Sequence, residues 1–325
     1  MTATTSTMSA GDAAGGAAAR TVPAAPRRRR FRTGALVPWG FVGPFLALFT
    51  LCFLLPILYA VYQSFIQVRR HGLFGEEGRE TVFAGFANYA RALGQESFVD
   101  SIGRVLLFGV VQVPVMLGFA LVLALLLESA SAKWPGFFRA LYFMPYGVPG
   151  VVASLLWGFL YVPGLSPILD VAALVGLEPD LLGPTSVLWS IANIITWLFI
   201  GYNMLILIAQ LKTIPSELYE SARIDGAGPL QTAWHVQLPL IRPALVLTTV
   251  FSIIGTLQLF AEPQILSAFT VNIDSAYTPN MAAYNSAFTD NDYNVAAAQS
   301  VIVALTAFVL SFGFLWLVNR KDRQR

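Results

Sequence analysis

The chain is poor in the residues on which most catalytic and metal sites depend, with one cysteine, two histidines and three lysines in 325 residues. Cys52 lies inside an apolar run, which excludes an internal disulfide and a cysteine-held metal cluster, and His71 and His235 are too distant in sequence to point to a shared metal site. None of Lys133, Lys212 and Lys321 follows a glycine, so the Gly-x-x-x-x-Gly-Lys-Ser/Thr phosphate loop is missing, and with it an ATP site of that kind. There is no Gly-x-Ser-x-Gly elbow, no pair of acids and no Ser–His constellation, which argues against an enzyme, a resident cofactor and a bound metal. Charge is equally scarce. Asp, Glu, Lys and Arg supply 12% of the chain, roughly half the share in a soluble domain, whereas 56% is hydrophobic. A net charge of +2 gives no reason to expect a nucleic-acid partner.

What the chain has is length without charge. Six intervals carry no Asp, Glu, Lys or Arg: 33–68, 105–127, 140–169, 181–211, 243–261 and 293–319. A helix crossing the hydrocarbon core needs about 20 apolar residues, and a charge at its centre is costly. Trimmed to their most apolar parts, the intervals predict spans near 38–62, 104–127, 138–161, 186–210, 242–263 and 297–318. The expected fold is therefore all-α, a polytopic membrane protein of six transmembrane helices in the lipid bilayer. Pro38, Pro44 and Pro56 make the first helix irregular.

Basic residues set the orientation, because Lys and Arg stay on the cytoplasmic side during insertion. An inside N-terminus puts fifteen of the twenty bases in the cytosol, and four of the other five fall in the long first loop, where the rule is weak. The loops after spans three and five carry only acids, Asp170, Glu178 and Asp180 in one and Asp274, Asp290 and Asp292 in the other. Both termini are thus expected in the cytoplasm and the chain in the cell membrane as a multi-pass protein. Residues 1–34 are Ala, Gly, Ser, Thr and Pro ending in an Arg run, a composition that cannot bury enough apolar surface to fold, and read as a disordered tail. The organisation that follows is the tail over 1–34, the first span and a long extracytoplasmic loop over 35–98, five helices over 99–319, and a basic cytosolic end over 320–325. Glu76, Glu77 and Arg79 in the first loop suit either a solvated surface or contact with another protein.

The loop over 214–240, on the basic side, predicts two short helices. Ser216 is a candidate N-cap after Pro215, Glu217 and Glu220 favour the positive helix end, and Gly226 suits the left-handed residue that stops a helix. Leu218, Ala222 and Tyr219 form one apolar face. Pro229 opens the second helix and Pro239 is expected to end it.

Within this loop Glu220-Ser221-Ala222, Gly226 four residues past Ala222, Val236, and Leu238-Pro239 resemble the signature of ABC-importer permeases: Glu-Ala-Ala, three residues, Gly, nine residues, Ile, any residue, Leu-Pro. Ser221 and Val236 are the two departures, each small or isosteric. The text from Ile214-Pro-Ser-Glu-Leu-Tyr through Arg223-Ile-Asp-Gly-Ala is similar to the carbohydrate branch, the maltose and glycerol-3-phosphate type. Pro56-Ile-Leu-Tyr-Ala-Val-Tyr-Gln-Ser-Phe, Phe83-Ala-Gly-Phe-Ala-Asn-Tyr, Phe138-Arg-Ala-Leu-Tyr-Phe-Met-Pro-Tyr and Gly201-Tyr-Asn-Met extend the resemblance over about residues 35–320. Leu266-Ser-Ala-Phe-Thr-Val-Asn-Ile-Asp departs from the Thr-Gly-Gly-Pro-like stretch of many relatives.

The resemblance implies the type I ABC-importer transmembrane fold and a permease subunit forming half of a path for a sugar or oligosaccharide. It implies four kinds of company: a second permease subunit, two ATP-binding-cassette ATPase subunits that bind the ATP, an extracytoplasmic solute-binding protein, and the bilayer. The first short helix is then the element that docks on the ATPase, with Glu220, Ser221, Ala222, Gly226, Leu238 and Pro239 as its residues. The alternatives are an ABC permease for a non-sugar solute and a secondary transporter, which would be expected to carry charge in mid-span.

Sugars are held by planar hydrogen-bonding groups and aromatic faces, so polar and aromatic residues within spans are the candidate solute contacts. These are Asn193, Trp197, Tyr202 and Asn203 in span four and Gln258 and Glu262 in span five, with Trp157 and Tyr161 near the outer end of span three. Gln258 and Glu262 are expected to face the same way at i,i+4 spacing. For each, a membrane-interface anchor or a helix-to-helix hydrogen bond is the plainer reading.

Overall fold

The computed structural model describes residues 37–70, 79–129 and 131–322. The tail over 1–34, Glu76 and Glu77, and the last three residues of the basic end lie outside the described residues. Residues 1–55 and 56–325 separate as two units.

The first unit holds α1 (Val37–Phe49) and a π-helical turn, Thr50–Leu54. Phe45, Phe49 and Phe53 stack along one side at centroid spacings of 6.0 and 5.6 Å. Helix α2 (Leu55–Ser64) follows, and Trp39–Ser64 is long and apolar enough to cross a membrane. The π turn has a local cause. A proline has no N–H for the helical ladder and its ring crowds the backbone of the preceding turn, which accounts for a π turn just ahead of Pro56.

The fold is helical as expected, with one short strand pair after α2. Strands β1 (Ile66–Arg70) and β2 (Arg79–Phe83) pair antiparallel, Ile66 opposite Phe83 and Val68 opposite Thr81. The ribbon is held by helix α3 (Ala87–Leu93), whose fully buried Asn88 donates to the carbonyls of Ser64 (2.9 Å) and Ile66 (2.7 Å) and accepts from Gln67 (3.1 Å). Helix α4 (Glu96–Leu127) is 32 residues long, so at about 1.5 Å per residue it is longer than the roughly 30 Å hydrocarbon core.

The third span is bent. Helix α5 (Pro135–Phe143) runs into a 3₁₀ turn, Met144–Gly147, and α6 (Gly150–Tyr161) leaves at 97° to that first arm. Val148 is extended because the ring of Pro149 excludes helical backbone before it, and Pro149 has no N–H with which to continue the ladder. A short helix, α7 (Pro167–Leu174), leads to α8 (Val187–Leu211), which is uninterrupted. Next come α9 (Ser216–Ile224), α10 (Pro229–Thr232), a π turn at Ala233–Gln237, α11 (Leu238–Leu240) and α12 (Arg242–Leu257). Pro229–Leu240 and Arg242–Leu257 meet at 69°. Helices α13 (Ala261–Leu266), α14 (Pro279–Phe288) and α15 (Tyr293–Asp322) complete the chain. The six expected spans thus appear as four uninterrupted helices and two bent pairs.

Helix α8 is the axis of this unit, packed against α4, α5, α6, α12 and α13. Toward its Leu211 end, Met204, Leu207, Ile208 and Leu211 bury against Ala120 and Ala124 of α4 and against Ile241 and Ala244. Toward its Val187 end, Val187, Ile191, Ile194 and Leu198 bury with Phe108, Tyr161, Leu259, Leu266 and Met281. Hydrogen bonds fix which loops share an end. Arg242 reaches the Val318 carbonyl (3.5 Å) at the end that carries 214–240, and Glu128 pairs with Arg139 between α4 and α5. At the opposite end Arg91 pairs with Asp292 (2.6 Å), and Tyr161 donates to the Ser190 carbonyl (3.0 Å). There, too, Arg104 donates to the Tyr277 carbonyl (2.7 Å) while its guanidinium lies 4.4 Å from that ring's centroid. Burial pushes the Tyr277 hydroxyl above its ordinary range, with the Arg104 charge opposing the shift.

Gly201 marks the closest approach of α8 to α5. A Cβ there would fall on the carbonyl of Tyr142, which is backbone and has nowhere to move. Gly201→Ala is therefore expected to lower the melting temperature of the detergent-solubilised protein by several degrees, an overpacking cost of about 1–3 kcal/mol. Gly118→Ala, with nothing within 4 Å, should leave it unchanged in the same thermal-shift measurement.

Candidate functional site

The 214–240 loop builds its first helix with a defined stop. Gly226 has φ +77°, its N–H donates to the Arg223 carbonyl (3.0 Å), and the Ala227 N–H donates to the Ala222 carbonyl (2.9 Å). That pair of bonds is a Schellman cap, which requires a residue in the left-handed region at the position Gly226 fills. The start of the helix differs from expectation. Pro215 occupies the N-cap position and Ser216 is already helical, because Pro215, held at φ −59° and ψ 140°, offers its carbonyl to the Leu218 N–H (3.2 Å).

Pro239 does not end the second limb either. It lies inside α11, and the π turn at Ala233–Gln237 widens the backbone where its ring would strike the His235 carbonyl. This is the same local solution as at Pro56. Gln231 accepts from the Gly228 N–H (2.9 Å), and the Gln237 amide reaches the Tyr219 hydroxyl (3.4 Å), which ties the limb back to α9.

Of the expected apolar face on α9 only Ala222 is buried, 8% exposed, while Leu218 stays 40% exposed. Ile224, Leu230 and Trp234 are also exposed, and Glu220 and Ser221 stand in the open beside them. Exposed apolar side chains among polar ones make this loop a candidate surface for a partner. At its base Ile214 packs into the cluster formed by Leu211 and Ile241.

The candidate solute residues divide into separate environments. Asn203 is 3% exposed and donates to the Phe199 carbonyl (3.0 Å), near Met116 of α4, so its amide serves helix packing. Tyr202 stacks on Tyr146 at 4.8 Å, within the 3₁₀ turn of the bent span. Trp197 meets Trp157 edge to face at 5.9 Å, and Trp157 meets Tyr161 at 5.6 Å. Asn193 is exposed and donates to the Tyr161 hydroxyl (2.9 Å). The indole N–H of Trp157 is buried with no partner among the described residues.

Gln258 and Glu262 do not share a helical face. Gln258 caps α12, Phe260 breaks the helix with φ −148° and ψ −57°, and Glu262 belongs to α13. Gln258 is exposed and Glu262 half-buried. Sequence reasoning missed the residues that receive these groups: Gly150, 2.9 Å from Glu262 Oε1 at a Cβ position, and Gly158, against which the Phe269 ring rests. Glycines inside apolar runs were the only available signal.

Apolar spans around an uninterrupted central helix, two of them broken, with an exposed capped helix at one end, are the features of a membrane permease. The chain belongs to the family of binding-protein-dependent transport system inner membrane components, which it matches over residues 92–324. It is a transport component and not an enzyme. It is 31% identical over 290 residues to the sn-glycerol-3-phosphate transport system permease protein UgpA of Agrobacterium fabrum, covering 85% of this chain and 94% of that one. It is also 31% identical over 281 residues to the lactose transport system permease protein LacF of Rhizobium radiobacter, covering 84% and 91%. In fold it resembles a chain of a bacterial ABC transporter involved in the import of the acidic polysaccharide alginate, with a TM-score of 0.75, 19% identity, and coverage of 89% of this chain and 96% of that one. The same match recurs in a complex of an alginate ABC transporter with an alginate pentasaccharide-bound periplasmic protein.

The cap at Gly226 yields a direct test. A β-branched residue is strained in the left-handed region, whereas asparagine visits it. Gly226→Val should open the end of α9 and speed tryptic cleavage at Arg223 severalfold in membranes, and Gly226→Asn should stay close to the native rate. Equal rates for the two variants would show that the cap does not hold the loop.

Proposed function

We propose that this chain forms half of the translocation path of an ATP-driven importer for a sugar or oligosaccharide. The observation that carries the proposal is the exposed α9 surface, in which the motif residues Glu220 and Ser221 are open along with Leu218 and Ile224, Gly226 is open at its end, and Ala222 is buried beneath. Gly226 allows close approach of another backbone, and Glu220 suits a basic partner. One of two cytosolic ATP-binding-cassette subunits docks there, and the pair binds the ATP, which this chain has no phosphate loop to hold. Leu238 and Pro239 set the return of the chain into α12.

A second permease subunit supplies the other half of the path, and an extracytoplasmic binding protein delivers the solute. The 214–240 loop and both termini lie in the cytoplasm, in keeping with the positions of fifteen of the twenty basic residues. The solute-facing candidates are Asn193, Trp197 and Tyr202 on α8 and Gln258 at the break after α12. Trp157 adds an indole N–H without a partner. The sugar class is supported by the names of the lactose and glycerol-3-phosphate relatives and by the aromatic and amide character of these side chains.

The test is co-purification of the chain with the products of neighbouring genes, followed by ATPase assay of the complex in nanodiscs with its binding protein. ATPase stimulation by lactose or glycerol 3-phosphate is expected, and stimulation only by an amino acid would move the chain to a non-sugar importer. Failure of any ATPase to copurify, with uptake persisting in ATP-depleted cells, would sink the importer assignment.

A further inference from the structure

We propose that Glu262 is a positioning residue whose carboxylate clasps the start of α6, so that the segments beyond the two broken spans move as one body. The starting observation is the pair of breaks. Span three is interrupted at 148–149, and the chain breaks again at 258–260, at the far end of α12 from its bend at Ile241; the segments that follow, α6 and α13, lie against each other.

Helix α6 begins without a cap of its own. Pro149 holds the N-cap position and offers no side-chain acceptor, so the N–H groups of the first turn have no partner within the helix until Ala153, which donates to the Pro149 carbonyl (3.0 Å). The carboxylate of Glu262 stands at this positive end, its Oε1 2.9 Å from where a Cβ of Gly150 would be. Only glycine leaves that space. No basic side chain pairs with Glu262 among the described residues; its carboxylate accepts from its own backbone N–H, and the open end of α6 is the further positive field beside it.

A second contact makes the arrangement a clasp and not a point. Phe269 rests on Gly158, its Cε2 2.6 Å from where a Cβ would be, and meets Phe159 edge to face at 5.3 Å. Gly150 to Gly158 is eight residues and Glu262 to Phe269 is seven, so the two segments run in the same direction with matched spacing. Thr270 then donates to the Leu182 carbonyl (2.9 Å), which extends the tie to the loop before α8. Among the polar groups first considered for solute, Gln258 is open and Glu262 is committed to a neighbour. The role rests on permease activity and is independent of which solute is carried.

The experiment uses the full importer complex in nanodiscs, in a Cys52→Ser background that removes the native thiol, with spin labels at exposed Val152 and Gln264. Double electron–electron resonance is recorded with and without nucleotide. The clasp predicts one narrow distance in both states, widened about twofold by Glu262→Gln, which keeps the shape and removes the charge. Gly150→Ala, which displaces the carboxylate, should widen it to the same extent, and the double variant should be no worse than either single one, as for two changes at one contact. If Gly150→Ala fails to assemble by size-exclusion chromatography, the width in Glu262→Gln alone decides. An unchanged width in Glu262→Gln, or additive widening in the double variant, overturns the proposal. Such a result leaves the importer assignment intact, because the ATPase of the complex is read separately.

Discussion

Water is missing from the hydrocarbon core, so each backbone N–H and C=O placed there must find its partner inside the protein. That constraint makes the spans helical and leaves a problem wherever a proline removes a donor. Pro44 and Pro114 are carried inside their helices, and two other solutions appear at Pro56 and Pro149, the first of them shared by Pro239 in the 214–240 loop. Pro56 and Pro239 are each preceded by a π turn, which widens the backbone where the ring would clash with the carbonyl four residues back and lets the helix continue. Pro149 is preceded by an extended residue, and the span turns through 97°. A break of that kind exposes a fresh helix end inside the protein, and an exposed end has to be met by something. The carboxylate of Glu262 meets it.

The same reasoning explains why α8 is uninterrupted and central. Its sequence holds no proline from Val187 to Leu211, and it buries one set of aliphatic side chains toward each end. The broken spans lean on it. Span three crosses it at Gly201, where its turn brings Tyr146 onto Tyr202, and span five re-forms as α13 against its other half. Trp197 and Tyr202 lie on the helix whose end, Leu211, anchors the 214–240 loop through Ile214.

The sequence was legible where chemistry was sparse. Charge-free intervals located the spans, and the ends of α8 fall within one residue of the expected 186–210 because charge or a turn residue flanks each side. The stop at Gly226 was legible because a left-handed residue has few alternatives. The bends were not. A uniformly apolar run has the same composition whether it faces lipid or another helix, so periodicity carries no direction there. That is why Asn203, inside such a run, gave no sign that its amide turns to Phe199 and Met116, and why Gln258 and Glu262 looked like one face of a continuous helix.

Glycine shows how differently one residue type is used on the two sides of this boundary. In the loop, Gly226 has open space around its Cβ position, and what it supplies is backbone freedom at φ +77°. Within the spans Gly150, Gly158 and Gly201 show no left-handed backbone, and what they supply is room for a carboxylate, an aromatic ring and a backbone carbonyl. Helices in lipid gain little from burying apolar surface against each other, so close approach and filled contacts decide which faces meet. The positions where a side chain is missing are thus the positions that specify the packing, and they bring the two broken spans onto α8 and onto each other.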